Sequence, residues 1–285
     1  MSKSTISIAV SSLKKSYQGK EVLNDVNFSV PSGTIYALLG SNGAGKTTIV
    51  KILSTLLKPD GGNATINDFD IESQSDEVRE CISLTGQFVA VDEVLTGREN
   101  LKLIGQLRRL PDVKSKTNEW LSFFNLEDAA NRKVSTYSGG MRRRLDIAMS
   151  LMDNPQVLFL DEPTTGLDPQ NRIAMWELVK SLAKKGTTVF LTTQYLEEAE
   201  YLADHVAILH KGKILVEGTP QYLKEILPKR GVSLNFNSEE SAIKAIELLR
   251  ENGITADTVE QNLPSLEDVF LTLIDEKKED TSHAS

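Results

Sequence analysis

A glycine-rich segment of this sequence has the residue types and the spacing of a phosphate-binding loop. It reads Gly40-Ser41-Asn42-Gly43-Ala44-Gly45-Lys46-Thr47, which matches the P-loop pattern of two glycines separated by four residues and followed by lysine and threonine. Such a loop lies before a helix N-terminus, where backbone amides face an anion. We expect this segment and Thr48 to bind nucleotide phosphates, with Lys46 at the β- and γ-phosphates and the Thr47 hydroxyl on Mg²⁺. A glycine-rich turn with a solvated lysine is the alternative interpretation.

Two adjacent carboxylates follow an apolar run later in the chain. The run Val157-Leu158-Phe159-Leu160 ends in Asp161 and Glu162. In P-loop NTPases an aspartate at the end of such a strand holds Mg²⁺. We therefore expect Asp161 to bind the metal and Glu162 to accept a proton from an attacking water. A polar strand end that leads into a turn at Pro163 is the alternative.

The surrounding patterns predict an α/β protein with a P-loop NTPase core. Alternating apolar residues predict two strands, at 6–13 and 22–30, which form an antiparallel β subdomain. A continuous apolar run predicts a buried strand at 34–39, and further strand patterns lie at 157–160, 187–192 and 205–210. Helical patterns predict helices at 47–57, 170–183 and 196–203. This alternation indicates a mostly parallel sheet with helices on its faces. The polar, helix-rich stretch at 92–148 indicates an inserted helical subdomain.

The C-terminal part predicts a small α+β accessory unit. We expect a first domain at 1–227, the accessory unit at 228–275 and a disordered tail at 276–285. The accessory unit would hold a strand at 232–236, an amphipathic helix at 238–251 and an apolar segment at 266–274.

The composition fits a folded globular protein and argues against several classes of function. The 285 residues are 40% hydrophobic and 25% charged, and the net charge of −8 gives no overall attraction to nucleic acid or anionic lipid. Cys81 is the single cysteine, which excludes an intrachain disulfide and favours a reducing compartment. The sequence has no apolar stretch of about 18 residues and no signal-peptide pattern. We expect a chain without a membrane span that works on the cytoplasmic side.

Two further motifs make the resemblance to a known family specific. Ser138-Gly139-Gly140 combines a small hydroxyl with two bare amide positions at a predicted helix N-terminus, and Gly166-Leu167-Asp168-Pro169 follows the carboxylates. With the P-loop, these motifs resemble the nucleotide-binding subunits of ATP-binding cassette (ABC) transporters over residues 6–227. The resemblance implies hydrolysis of ATP with Mg²⁺ by two chains that bind two ATP molecules head to tail. Ser138, Gly139 and Gly140 would then contact the γ-phosphate held by Lys46 of the partner chain.

The same resemblance implies roles for three more residues. Gln87 matches the glutamine that contacts Mg²⁺ and links the core to the helical subdomain. Tyr17 matches the aromatic that stacks on adenine, with a packed aromatic as the alternative. Asp168 matches an aspartate at the dimer interface, with a solvated turn as the alternative.

One position departs from the usual family pattern. Gln194 stands where most members have a histidine at the end of a strand. A glutamine can donate to a γ-phosphate or orient water, but it cannot become cationic or shuttle a proton. We therefore expect Glu162 to act as the base and Gln194 to assist.

Several positions together resemble the daunorubicin-resistance type of ABC ATPase. They are Tyr137, Met141 and Gln194, with matching segments in 85–101 and 266–271. This resemblance implies a motor on the cytoplasmic face of the cell membrane that powers a separate integral membrane permease exporting drugs or other amphiphiles. It implies a homodimer on ATP binding and no nucleic-acid partner.

Two alternatives stay open beside the transporter reading. One is a soluble ABC ATPase that acts on the ribosome or on DNA. The other is a nucleotide sensor without turnover, which would lack one of Thr47, Asp161 and Glu162. We expect the basic run Arg142-Arg143-Arg144 to be a solvated or nucleotide-facing surface rather than a nucleic-acid contact.

Overall fold

The computed structural model describes residues 6–226 and 238–251. The chain divides into two compact units, Met1–Thr219 and Pro220–Ser285. The second unit contains helix α8 (Pro220–Ile226) and helix α9 (Glu239–Glu251). The strand expected at 232–236, the apolar segment at 266–274 and the tail at 276–285 lie outside the described residues, so the boundary expected at residue 227 stays a prediction.

The described part of the first unit, residues 6–219, contains ten strands and seven α-helices. The strands are β1 (Ile6–Tyr17), β2 (Lys20–Pro31), β3 (Ile35–Leu39), β4 (Gly61–Ile66), β5 (Phe69–Asp70), β6 (Ile82–Thr85), β7 (Val157–Asp161), β8 (Thr188–Thr193), β9 (His205–His210) and β10 (Lys213–Gly218). The helices are α1 (Lys46–Leu53), α2 (Ser75–Cys81), α3 (Gly97–Leu107), α4 (Val113–Phe123), α5 (Gly139–Ser150), α6 (Pro169–Lys184) and α7 (Leu196–Leu202).

The strands form two sheets that differ in strand direction. The first is antiparallel, with the order β2-β1-β4-β5. The second has the order β10-β9-β3-β8-β7-β6; its pairs are parallel except for β10 with β9. Every residue of β3, β7 and β8 is buried, which explains the continuous apolar runs at 35–39 and 157–160. The predicted α/β fold class with an antiparallel β subdomain is confirmed.

A hydrophobic core joins the two sheets and α1. Aromatic rings from both sheets stack within it, since the ring centroids of Phe28 and Tyr36 lie 5.4 Å apart and those of Tyr36 and Phe190 lie 5.5 Å apart. Tyr36 and Phe190 are fully buried, and Phe28 is nearly so. The core therefore fixes β3 and β8 against the antiparallel sheet.

The helical subdomain expected at 92–148 is present as α3, α4 and α5. Thr96 and Glu99 form a capping box at the start of α3, and the Asp112 side chain caps α4. Leu101 and Phe124 are fully buried in this region. Packing of the apolar faces places the N-terminus of α5 at the surface of the subdomain, where Ser138 is exposed.

Two local differences from the sequence prediction have clear causes. Helix α1 ends at Leu53 rather than at residue 57, because Thr55 adopts a left-handed conformation (φ 61°). The strands and helix within 61–85 were not predicted. Gly62 lies in β4 with φ 78°, and a side chain there would come within 2.2 Å of the Ser12 carbonyl oxygen. A glycine-rich, bulged strand lacks the apolar alternation that identifies strands.

No helix within residues 6–226 and 238–251 has the length and apolarity needed to cross a membrane.

Candidate functional site

A cavity of about 740 Å³ lies at the carboxyl ends of the parallel strands. In open α/β sheets this edge is where ligands bind. The cavity size is in the range of small-molecule sites. The residues that line it come from the end of β1, the start of β2, the loop before α1, and the segments after β6, β7 and β9: Tyr17, Lys20, Glu21, Val22, Asn42, Gly43, Gly45, Lys46, Thr47, Thr48, Gln87, Glu162 and Lys211.

The loop before α1 needs glycine at its two fixed positions. A side chain at Gly40 would lie 2.5 Å from the Leu209 carbonyl oxygen, and one at Gly45, where φ is 112°, would lie 2.7 Å from Leu23. Gly43 also has a positive φ of 80°, but space around it is open. The backbone can therefore fold tightly over the helix start while leaving room beside Gly43 for a bound group. This loop geometry fits a phosphate cradle.

Lys46 is a buried cation at the centre of the site. Its side chain is 5% exposed, and its Nζ donates to the carbonyl oxygens of Gly40 at 2.8 Å and Ser41 at 3.3 Å. The same Nζ forms an ion pair with Glu162 Oε1 at 3.2 Å. Loop carbonyls thus hold the ammonium group against a carboxylate, at the position where an anionic phosphate would compete for it.

Asp161 and Thr47 provide the oxygen atoms that a magnesium ion prefers. Thr47 Oγ1 donates to Asp161 Oδ2 at 2.9 Å, and Asp161 is 4% exposed. A hydroxyl and a carboxylate oxygen in contact, beside a phosphate cradle, match the Mg²⁺ sites of nucleotide enzymes. The donor set therefore fits the metal that the sequence predicts.

Thr192 is a site residue that the sequence analysis missed. Its Oγ1 donates to Asp161 Oδ1 at 2.5 Å and accepts from the backbone N–H of Glu162 at 3.1 Å. The Glu162 N–H also donates to the Thr192 carbonyl oxygen at 3.1 Å. A threonine within an apolar strand gives no signal of such a role. Its hydroxyl therefore holds the Asp161 carboxylate and the backbone of Glu162 at once.

Glu162 has an unusual backbone conformation and a nearby amide. Its φ is 49°, which a residue with a side chain rarely adopts and which costs on the order of 1–3 kcal/mol. Gln87 Nε2 lies 3.5 Å from Glu162 Oε2, and Thr165 Oγ1 donates to the same oxygen at 3.3 Å. The turn therefore directs the Glu162 carboxylate into the cavity between Lys46 and Gln87.

Tyr17 lies at the cavity with its ring 43% exposed. The Nζ of Lys15 lies 5.8 Å from the ring centroid. An exposed aromatic ring that lines a cavity can stack on a planar base.

The glycine pair at the start of α5 lies outside this cavity. Ser138 caps the helix by accepting from the Met141 N–H at 3.3 Å, and Ser138 and Gly139 are exposed. A side chain at Gly140 would come within 2.4 Å of Asn171 Oδ1, whereas the space around Gly139 is open. The N-terminus of α5 therefore packs against α6 and leaves its exposed amides free to face a separate ligand.

Asp168 and Gln194 likewise do not line the cavity among the described residues. Asp168 caps α6, since its Oδ1 accepts from the Asn171 N–H at 3.0 Å. Gln194 is partly buried directly after β8. Within one chain, Asp168, Gln194 and the start of α5 thus lie outside the lining of the cavity around Lys46.

The expectation that the run 142–144 forms a solvated or nucleotide-facing surface is wrong for Arg143. Arg143 is 4% exposed and pairs with Asp146, which is 6% exposed, at 3.2 Å. Burial lowers the pKa of the Arg143 guanidinium and raises the pKa of the Asp146 carboxyl, against the opposing effect of the pair itself. A run of three arginines gives no indication of which one is buried.

Comparisons with known proteins identify the family of this chain. A family model described as ABC transporter matches residues 23–165. The daunorubicin/doxorubicin resistance ATP-binding protein DrrA of Streptomyces peucetius is 46% identical over 254 residues, which are 88% of this chain and 77% of that protein. The Nod factor export ATP-binding protein I of Rhizobium meliloti (strain 1021) is 41% identical over 78% of this chain and 67% of that protein.

A solved structure is also similar to most of the chain. It is a dimeric ATP-binding cassette in a post-hydrolysis state bound to ADP and Pi. It aligns with a TM-score of 0.67 and 26% identity, over 74% of this chain and 98% of that one.

Proposed function

The chain belongs to the ATP-binding subunits of ABC transporters, and from this we propose that it hydrolyses ATP to power a separate integral membrane permease. The observation that carries the proposal is the grouping of Lys46, Glu162 and the Thr47–Asp161 pair around one cavity. This is the set of a cation, a base and a metal site that phosphoryl transfer to water requires.

ATP binding starts from the loop before α1. The backbone amides of residues 40–48 and the Lys46 ammonium bind the β- and γ-phosphates, and Tyr17 stacks on the adenine. The γ-phosphate would then compete with Glu162 for Lys46, whose Nζ lies 3.2 Å from Glu162 Oε1. Binding therefore releases the Glu162 carboxylate from its ion pair and makes it available as a base.

Thr47, Asp161 and Gln87 would hold Mg²⁺. When bound, Mg²⁺ neutralises charge on the phosphate oxygens. Thr192 keeps the Asp161 carboxylate in position by its hydrogen bond of 2.5 Å. Thr47, Asp161 and Gln87 would supply the oxygen atoms, and their neighbours would hold those atoms in place.

Glu162 accepts a proton from the water that attacks the γ-phosphorus atom. The water oxygen bonds to phosphorus, the bond from phosphorus to the β–γ bridging oxygen breaks, and ADP and phosphate result. The Gln194 amide orients the water or donates to a γ-phosphate oxygen, without taking up a proton itself.

A second copy of the chain completes the site. Ser138 and Gly139 are exposed at a helix N-terminus outside the cavity around Lys46, with the buried Gly140 beside them, which favours action on a nucleotide bound by another chain. The dimeric state of the solved relative supports the same arrangement. Asp168, at the start of α6, would lie at this interface.

The permease would contact the surface beside Gln87. Phe88 is 87% exposed, Val94 is 74% exposed and Leu107 is 69% exposed, all within 86–107. Large apolar side chains with this exposure, next to a residue of the site, favour a protein contact. The permease would place the chain at the cytoplasmic face of the cell membrane, as an ABC-type translocase.

The relatives support export of amphiphilic compounds. One relative is named for daunorubicin and doxorubicin resistance, and another for export of Nod factor. We propose that the permease driven by this chain exports drugs or other amphiphiles.

Co-purification tests the transporter assignment. The Glu162→Gln variant would be tagged in its native cell, membranes would be solubilised with ATP and Mg²⁺, and the bound proteins identified by mass spectrometry. We expect a stoichiometric multi-spanning protein, and the Phe88→Ser variant should recover less of it. Recovery of ribosomes or DNA without a membrane protein would overturn the assignment in favour of a soluble ABC ATPase.

A further inference from the structure

A buried ion pair within α5 contacts three segments that border the carboxylates. Arg143 Nη1 lies 3.2 Å from Asp146 Oδ2, and both residues are almost fully buried. Arg143 also donates to three backbone carbonyl oxygens: Gly86 at 2.7 Å, Pro163 at 3.0 Å and Asp161 at 3.3 Å. The guanidinium group therefore connects helix α5 to the segment before Gln87 and to the backbone on both sides of Glu162.

Asp146 holds the other end of the Gln87 segment. Its Oδ1 accepts from the Ala90 N–H at 3.1 Å. The two charges thus fix Gly86 and Ala90, which leaves Gln87, Phe88 and Val89 as a short span between two fixed points. Within this span Gln87 Nε2 lies 3.5 Å from Glu162 Oε2, and Phe88 is 87% exposed.

The chemistry of this contact set requires arginine. A planar guanidinium carries five N–H groups in a fixed fork, and here it uses them on one carboxylate and three carbonyl oxygens. A lysine ammonium would keep the charge but could not reach these acceptors in the same plane. Burial of such a pair costs free energy because both charges lose their hydration, unless well-placed hydrogen bonds compensate for that loss.

We propose that the Arg143–Asp146 pair is a positioning element that sets Gln87 against Glu162 and joins the exposed Phe88 to the hydrolytic site. The inference rests on the proposed function, since it assigns the pair a role in hydrolysis by Glu162. Arg143 and Asp146 act through Gln87 and contact no reacting atom. A partner that binds at Phe88 would affect Glu162 through the segment 86–90, whose two ends the pair holds.

Steady-state hydrolysis by the purified full chain with ATP and Mg²⁺ tests this role. Arg143→Lys should lower kcat by about 10- to 100-fold, the effect of a small misplacement, with the KM for ATP within about twofold of wild type. The combined Arg143→Gln and Asp146→Asn variant removes both charges, so no buried charge stays unpaired, and it should show the same kcat loss. Arg79→Gln is the matched control. Arg79 pairs with Asp76 at the same sequence separation but at the surface, and its loss should change neither parameter.

A double-mutant cycle with Gln87→Ala separates positioning from a general structural effect. If the pair acts through Gln87, Arg143→Lys should lower kcat by less than about twofold in the Gln87→Ala background. Independent, multiplying losses would overturn the inference, and so would a wild-type kcat in Arg143→Lys or a loss confined to KM. Glu162→Gln is measured in parallel. Its activity tests the proposed function, so an inactive Glu162→Gln with a fully active Arg143→Lys would overturn the positioning role alone.

Discussion

Thr192→Val removes one hydroxyl that bonds both the Asp161 carboxylate and the Glu162 backbone N–H. Valine has nearly the shape of threonine, so the fully buried position keeps its packing. The lost hydroxyl leaves Asp161 Oδ1 without its donor at 2.5 Å, whereas the Glu162 N–H keeps the Thr192 carbonyl oxygen at 3.1 Å. The expected change is thus the loss of one hydrogen bond to a buried charge.

Such a bond contributes about 1.5–3 kcal/mol to stability. With roughly 2–4 °C of melting temperature per kcal/mol for a domain of this size, Tm should fall by roughly 3–12 °C. The effect on Mg²⁺ binding should be larger than the effect on the stability of the fold. Loss of a group that orients a metal ligand weakens metal affinity or activity by about 10- to 100-fold. The Mg²⁺ concentration that half-saturates ATP hydrolysis should therefore rise by that factor.

Thr193→Val is the matched control for this change. Thr193 is also fully buried in β8, but its Oγ1 accepts from the Tyr195 N–H at 2.9 Å and contacts neither carboxylate of the site. It should lose stability of about 1–3 kcal/mol without a change in the Mg²⁺ requirement. Thermal denaturation and phosphate release over a Mg²⁺ titration give both quantities. Equal half-saturation in the two variants would refute the role of Thr192 in orienting Asp161.

Three further outcomes can be checked separately. Gly140→Ala should lower the melting temperature because its Cβ would lie 2.4 Å from Asn171 Oδ1, whereas Gly139→Ala should not; equal melting temperatures would contradict this. Burial raises the pKa of Glu198, so the folded state binds its proton more tightly than the unfolded state. The free energy of unfolding of the wild type should therefore fall relative to that of Glu198→Gln as pH rises from the ordinary glutamate pKa to the raised one, by up to about 1.4 kcal/mol per pH unit. Urea unfolding measures both free energies, and a difference between the two proteins that does not change with pH would disprove this prediction. Gln194→His should add a titration at about pH 6–7 to the pH profile of ATP hydrolysis, and the wild-type profile should lack this titration.

The elements that the sequence predicted well are those whose two faces are both buried. β3 and most of β7 appear as continuous apolar runs because both faces of these strands are buried. The loop before α1 was predictable for a different reason. Gly40 and Gly45 must lack side chains where the backbone passes Leu209 and Leu23, so the motif records the local geometry directly.

The elements that the sequence did not predict depend on contacts between distant segments. β4 contains Gly62 and pairs with a bulged part of β1, so its pattern is not that of a regular strand. Thr192 and Arg143 carry no local signal either. Their roles arise because β8 lies beside β7 and because α5 packs against the segment before Gln87. Ranges 227–237 and 252–285 lie outside the described residues, and the predictions for them stand as made.

Single-turnover hydrolysis by the Glu162→Gln variant tests the central claim most directly. Full-length wild type and variant would be mixed with ATP and Mg²⁺, and bound nucleotide and released phosphate measured in the same samples. A carboxylate that accepts the proton of the attacking water contributes about 10²- to 10⁴-fold to the rate, so the variant should retain ATP and release phosphate slower by that factor. Hydrolysis at the wild-type rate by Glu162→Gln, with ATP bound, would contradict the assignment of Glu162 as the base.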